Sequence, residues 1–488
     1  MPFLKQFSGI IFIVFFVCTQ VFSQQVKESA LLKKYSPAQL KQDAELMKNI
    51  VMSMHPGIGV YNSRGFYLNL FDTYIGSLKD SLNEKQFRIK TKIILDQLHC
   101  GHTEALLSRA YYKEAAKQTY NFSPYFFIPI KNKVYMLAAL NKKKDTLLKK
   151  GVEIISINGV STDSIIRYSK RFISSDGFNQ TGKEHYLQLG FNAFYPSLFG
   201  RPDTFTVDYL AGNVPKRVKY RSIKLKTIPP LPLEIKTDSS FKHYHLAKMK
   251  FGFLDDENVT MHLKLYAFSR KRSKAAYRKI FRKLKKNKTE NLILDLRNNG
   301  GGSIENCYNL LSYLLDTAQT QTLRTSIRSY PYKQFTSLPV IFKLMRFGLG
   351  TISKKKIIND TDNFVYTIKP RKKNHYNNKI FVLINGGSFS ASCLVAAYLK
   401  TNKKAVFIGE ETAGAMEGCN AGITPYYTLP NTKAKIRMPA FRVVHDVCPT
   451  ITGHGILPDY KIEYSIMDIL NRKDLEIIKA KELIRLTK

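Results

Sequence analysis

Two glycine-rich turns, each set between an apolar run and a helical pattern, constrain this chain more than any other feature. The first reads Asp295-Leu296-Arg297-Asn298-Asn299-Gly300-Gly301-Gly302-Ser303. It follows the mainly apolar run 292–296 and precedes a stripe of Ile304, Cys307, Leu311, Leu314 and Leu315. The second reads Asn385-Gly386-Gly387-Ser388-Phe389-Ser390-Ala391-Ser392, between the run 380–384 and a helical stretch reaching about residue 399. Another short apolar run lies at 405–408. Upstream, Val259, Met261, Leu263 and Leu265 alternate with Thr260, His262 and Lys264, the period of a half-buried strand. Strand, crossover helix and strand in this order predict a right-handed parallel α/β core.

The second turn is where chemistry is expected. Its glycines permit a sharp turn, and Ser390 then stands at a helix N-terminus. There unpaired N–H groups and the helix dipole favour a developing oxyanion, with the N–H of Ala391 as one donor. A plain serine cap after a glycine turn is the competing reading. The N–H groups of the first turn, including Gly301, would complete an oxyanion hole or bind phosphate. That turn lacks the Gly-Lys-Ser/Thr ending of a nucleotide loop, which argues against nucleotide.

The rest of the chain is organised around this core. Residues 1–23 read as a secretory signal peptide: Lys5, then an apolar or small run from Gly9 to Cys18, then Val21-Phe22-Ser23. The run is about half the ~20 residues that a membrane span needs. A lipid anchor at Cys18 is disfavoured by the bulk of Val17. Export to the periplasm or beyond is therefore expected. Residues 24–118 read as helical, opening at Ser36-Pro37 with Leu40, Ala44, Met47, Val51 and Met54 in register. Residues 119–235 read as β-rich, with an Asn158-Gly159 turn, and 236–488 as the α/β core, carrying an insertion at 330–378.

Six cysteines are scattered without a C-x-x-C pair, so neither a zinc site nor a dense disulfide framework is indicated. An oxidising compartment would allow one bridge, Cys419 to Cys448. His243-x-His245 has no third ligand at suitable spacing, so no metal is expected. The net charge of +40 is spread along the chain instead of being gathered on one element. That argues against nucleic acid and for a solvated basic surface drawn to anionic envelope surfaces at low salt.

Several segments together resemble the C-terminal processing (tail-specific) peptidases and their tricorn-core relatives. They are Asp295-Leu296-Arg297 with Asn299 and Gly301-Gly302, then Ser388-Phe389-Ser390-Ala391-Ser392, Gly409-Glu410-Glu411-Thr412-Ala413-Gly414 and Gly455-Ile456-Leu457-Pro458-Asp459. Gly151, Ile154, Ile157, Asn158 and Gly159 look like the PDZ-like element of those proteins. His55-Pro56 and Cys100-Gly101-His102-Thr103 look like the helical front of a secreted bacterial branch. The resemblance implies a crotonase-like α/β core, a PDZ-like domain that guides a peptide by strand addition, and a serine endopeptidase acting near protein C-termini.

It also assigns roles to residues. Ser390 matches the nucleophile. The tail-specific branch takes its base from a lysine in a Gly-Lys-Gly context, and here that register holds Ala415, so the resemblance turns to the tricorn-like branch. There the base is a histidine in the front segment, matched by His102, with His445 and His454 as alternatives. Asp446 is the only acidic residue between Ala440 and Gly455, and so the expected orienter. Gly301 and Ala391 would hold the oxyanion, and Asp459 is expected to be structural. No cofactor is implied, and the partner is a peptide or unfolded protein. The rival reading is a non-hydrolytic peptide- or ligand-binding protein on the same scaffold, because fold alone does not confer activity.

Overall fold

In this computed structural model the described residues are 29–140, 147–232, 244–246, 248–269, 272–325, 332–336, 354–358 and 361–486. The expected signal peptide, Cys18, His243 and much of 330–378 lie outside them.

The α/β core is a seven-stranded sheet in the order Tyr244–Leu246, Met249–Phe253, Thr260–Leu265, Asn291–Asp295, Lys379–Ile384, Val406–Gly409 and Tyr460–Lys461. From Thr260–Leu265 onward all neighbours are parallel. Both faces are covered, which is why these strands read as near-continuous apolar runs. Leu292, Leu294, Ile380, Val382 and Ile384 pack beneath the helices Ser273–Lys286, Ile304–Leu314 and Ala391–Thr401. The alternate residues Ile293, Phe381, Leu383 and Ile408 face the helix Leu475–Leu486 through Ala480 and Ile484. Because the two glycine turns leave the same ends of adjacent parallel strands, they meet at one edge of the core.

The front helices are Pro37–Met54, Arg64–Gly76 and Glu84–Asp96. The first and third open with capping boxes, Ser36 with Gln39 and Asn83 with Gln86. They bury Leu40, Met47, Phe71 and Phe87 in one cluster with Tyr427, Ile436, Phe441 and Val443. The strand Glu104–Leu106 pairs with Lys435–Arg437. The front segment therefore shares its core with the C-terminal third of the chain, and this union brings residues near 100 to the glycine turns. The span read as an insertion supplies strand Thr361–Ile368, which lies inside a five-stranded sheet next to Gln319–Thr325. It is integral to the fold because Phe364 and Ile368 face the interior.

The β-rich domain orders its strands Val214–Arg221, Thr204–Ala211, Glu153–Ile157, Lys133–Ala139 and Tyr125–Ile130, with helices Thr162–Lys170 and Thr181–Leu198 over its core. The Asn158-Gly159 turn forms as expected, both residues at positive φ, and closes the hairpin to Val160–Ser161. Strand addition at Tyr125–Ile130 does not fit this arrangement. Asn192 accepts from the Phe127 N–H at 2.9 Å and donates to the Phe127 carbonyl at 2.8 Å. Gln188 donates to the Pro129 carbonyl at 3.1 Å, and proline has no N–H to offer. Side-chain amides thus hold the edge positions that a peptide strand would need.

Candidate active site

The turn that presents Ser390 is stitched to the other glycine turn. Asn385 and Asn298 exchange two bonds, each 2.9 Å. Ser388 Oγ donates to the Leu296 carbonyl at 2.8 Å, and Ser392 Oγ to the Asn299 carbonyl at 2.8 Å. The Phe389 N–H reaches the same Asn299 carbonyl at 3.0 Å. Of the three serines, the outer two are fully buried and structural. Ser390 is half-buried, and its hydroxyl has no hydrogen bond among the described residues.

Ser390 adopts φ 55°, ψ −115°, a region that L-residues rarely occupy. Such strain persists only where the surroundings over-determine it, and the bonds just described do so. The residue opens the helix Ala391–Thr401, and the Ala391 N–H meets no acceptor among the described residues. That free donor and the helix dipole converge beside the Ser390 side chain.

Gly301 lies against this turn: a Cβ there would sit 2.9 Å from the Ala391 nitrogen, the Phe389 carbonyl oxygen and Ser390 Cβ. Its φ of +102° also needs glycine. Its N–H, however, donates to Asn299 Oδ1 at 3.0 Å, so it would hold an oxyanion only after Asn299 lets go. Gly301→Ala is expected to cost about 1–3 kcal/mol in backbone strain alone, read as a lower urea midpoint, and to displace Ser390.

His102 follows the turn that ends helix Glu84–Asp96, and its ring stacks on Phe389 with centroids 4.7 Å apart. The fold thus brings a residue from the front segment to the neighbour of Ser390. No hydrogen bond joins Ser390 and His102 in this structure, as is common where substrate has yet to tighten a site. Burial, with a smaller push from Arg437, lowers the imidazole to about 4, so the ring is a neutral base at ordinary pH. Its Nδ1 is sealed from solvent and has no partner among the described residues.

Asp446 is exposed and accepts from Thr320 Oγ1 at the end of strand Phe441–His445, and its backbone N–H bonds Tyr398. It makes no bond to His102. His445 donates to the Met416 carbonyl at 2.8 Å, and His454 pairs with Glu411 at 3.2 Å. The carboxylate close to His102 is Asp176. Its oxygen and a His102 ring nitrogen lie within 4.8 Å of each other, while its Oδ1 accepts from the Gly101 N–H at 2.8 Å. Asp176 Oδ2 is buried without a partner. Burial raises this carboxyl to about 7, with the Gly101 N–H and Arg442 pulling it down and Glu417 pushing it up.

Sequence reasoning passed over Asp176 because it lies in a loop of the β-rich domain, far along the chain from the front segment. The available signal was its Asp-Gly pair. Gly177 takes φ +58° and packs so closely on Gly453 that a Cβ would be 2.1 Å from the Gly453 carbonyl oxygen. The Gly177 N–H and carbonyl both bond His99. Glu417 is held near by Tyr61 and the Gly453 N–H. Ala415 is buried and offers no base. Cys419 is buried, Cys448 exposed, and both are free thiols, so the bridge that an oxidising compartment would allow is not formed here.

Arg297 belongs to the scaffold. It bonds Asp295, Asp474 and Glu476, tying the first glycine turn to the C-terminal helix. Beside it, Lys264, Arg297, Asn298, Asn385, His185 and Glu410 line part of a cavity of about 870 Å³ between the β-rich domain and the core.

Residues 260–462 match the model of Peptidase family S41. The Chlamydia pneumoniae protein CPj1016/CpB1054 is 25% identical over 236 residues, 41% of this chain, and the match spans only 37% of that relative's length. The structure of mature CPAF complexed with lactacystin superposes with a TM-score of 0.62 at 14% identity, covering 92% of this chain and 98% of that one. Another structure of mature CPAF gives 0.60 at 14% identity, over 91% and 96%. At such identity these two likenesses speak for the fold. Residues 260–462, the part of the core that carries both glycine turns and Ser390, are thus similar to a peptidase family S41 domain.

Proposed function

We propose that this chain is an exported serine endopeptidase that cleaves peptide or unfolded protein substrates near their C-termini. The observation that carries the reading is the strained, half-buried Ser390 beside the free Ala391 N–H, with the neutral His102 ring stacked on the preceding residue. Ser390 Oγ attacks the scissile carbonyl as His102 takes its proton. His102 then returns that proton to the leaving amine, and water repeats the sequence on the acyl-enzyme. Ala391 N–H holds the oxyanion, joined by Gly301 once Asn299 releases it. Asp176 orients His102 in place of Asp446, which is occupied elsewhere.

The core is read as crotonase-like and the β-rich domain as PDZ-like, its edge held by Asn192 and Gln188. Export rests on the leader at residues 1–23. Among the described residues no helix is long and apolar enough to cross a membrane. The basic surface would draw the mature chain to anionic envelope surfaces.

The second reading, a non-hydrolytic binding protein, is favoured by one observation: no hydrogen bond joins Ser390, His102 and Asp176. Fluorophosphonate labelling of the chain beginning at Gln24 separates the two. Wild type is expected to label at one site and Ser390→Ala not at all. Equal labelling of the two chains defeats the peptidase reading.

A further inference from the structure

Around the His102 ring, buried polar atoms stand unmatched. His102 Nδ1, Asp176 Oδ2 and Glu417 Oε2 are sealed from water and meet no partner among the described residues. Each such atom costs about 1–3 kcal/mol if left bare. Cys419, on strand Gly418–Ala421, brings a buried free thiol to the same place. One ligating atom from each of His102, Asp176 and Cys419 lies within 4.8 Å of the other two.

We propose that His102, Asp176 and Cys419 form a site for a thiophilic divalent cation of the zinc class, and that its occupation switches the serine off. The donor set is an imidazole nitrogen, a carboxylate oxygen and a sulfur, the borderline-soft mixture that zinc takes, with a fourth position left for water or Glu417. Zinc bonds of about 2.0–2.3 Å set tetrahedral edges of roughly 3.3–3.8 Å, so the three atoms need to draw in by about 1.5 Å at most. The ring is already neutral. The thiol, which burial and then Asp176 hold well above its usual range, gives up its proton as the metal binds. Arg442 and Arg437 oppose a cation from nearby, but Arg437 is paired with Glu104, and Glu417 adds negative charge beside Asp176.

The switch follows from the proton count on the ring. A neutral imidazole has one lone pair, and a metal on either nitrogen leaves the other carrying hydrogen. His102 then has nothing with which to accept the Ser390 proton. The switching half rests on the serine–histidine reading above, and the binding half does not.

Both halves are tested with the full mature chain carrying Cys448→Ser, so that the exposed thiol is out of play. Titration with cobalt(II) is expected to load one equivalent with a thiolate-to-cobalt absorption in the near ultraviolet, displaced by zinc. Ser390→Ala should load equally well. Cys419→Ser, with Cys419→Ala as a second variant, should bind at least about tenfold more weakly, lose that absorption, and still label with fluorophosphonate. Zinc should block labelling of the Cys448→Ser chain, and the Cys419 variants should need at least about tenfold more. No cobalt uptake, or uptake unchanged in both Cys419 variants, overturns the site. Full labelling at saturating zinc overturns the switch. Should Ser390 fail to label even without metal, the peptidase reading falls and the cobalt titration alone judges the site.

Discussion

Asparagine at position 176 is expected to lower kcat/KM on a peptide substrate by about 10³- to 10⁴-fold, the scale lost when a base histidine is no longer held in the right tautomer. His102→Ala should fall as far, since it removes the base itself. Asp446→Asn should stay within about twofold, as expected of an exposed residue away from the chemistry. The pH profile separates positioning from mere structure. His102 must be neutral, which burial ensures above about 4, whereas Asp176 must be ionised to hold the ring N–H, and burial puts its carboxyl at about 7. Activity in the wild type should therefore decline as pH falls through about 7. In Asp176→Asn the residual rate should lose that limb and decline only toward the value for His102. An acid limb that stays near 7 in the asparagine variant would remove Asp176 from the mechanism. Glu417→Gln supplies a control of opposite sign. Deleting a neighbouring charge that raises the Asp176 carboxyl should shift the limb to lower pH.

The parallel core was legible because burial on both faces leaves a local record: short apolar runs, glycine turns and helical stripes in sequence. The turn that presents Ser390 was legible for the same reason, since it, its flanking serines and its helix are contiguous. The partners of His102 left no such trace. Asp176 reaches the ring only because the loop 175–179 is clamped between His99 and Gly453, a packing contact invisible to spacing. Asp446 was chosen by its place in the chain. A strand register that pairs Phe441–His445 with Gln319–Thr325 carries it to Thr320 instead. Nothing local shows that Asn192 and Gln188 of a following helix would satisfy Phe127 and Pro129 at one edge of the β-rich domain. In each case a tertiary contact between distant segments decided the outcome.

Truncating Arg297 is expected to cost about 3–5 kcal/mol of stability, the usual penalty for leaving buried charge unpaired, and a large share of what a domain has to spare. Its guanidinium binds Asp295, which is fully buried, together with Asp474 and the nearly buried Glu476. Arg297→Ala leaves Asp295 with Lys264 and His262, while Glu476 and Asp474 keep the neutral donors Tyr464 and the Ile477 N–H. Urea unfolding at neutral pH, followed by circular dichroism, measures the loss. Arg297→Lys is the companion that stays folded. It restores the charge but cannot fork between Asp295 and Asp474, so its deficit should lie between the two. The sign with pH is fixed by Asp295. Burial opposes its charge, yet Arg297, Lys264 and His262 together hold it well below the usual carboxylate range. In the wild type this contribution is complete above the unfolded carboxyl value of about 4 and fades only as pH falls through the lower folded one. In Arg297→Ala the stranded carboxyls take up protons at higher pH, so its deficit should narrow as pH is lowered from neutrality. A deficit that is the same at pH 5 and pH 7 would mean that lost packing, and not stranded charge, is what the arginine prevents.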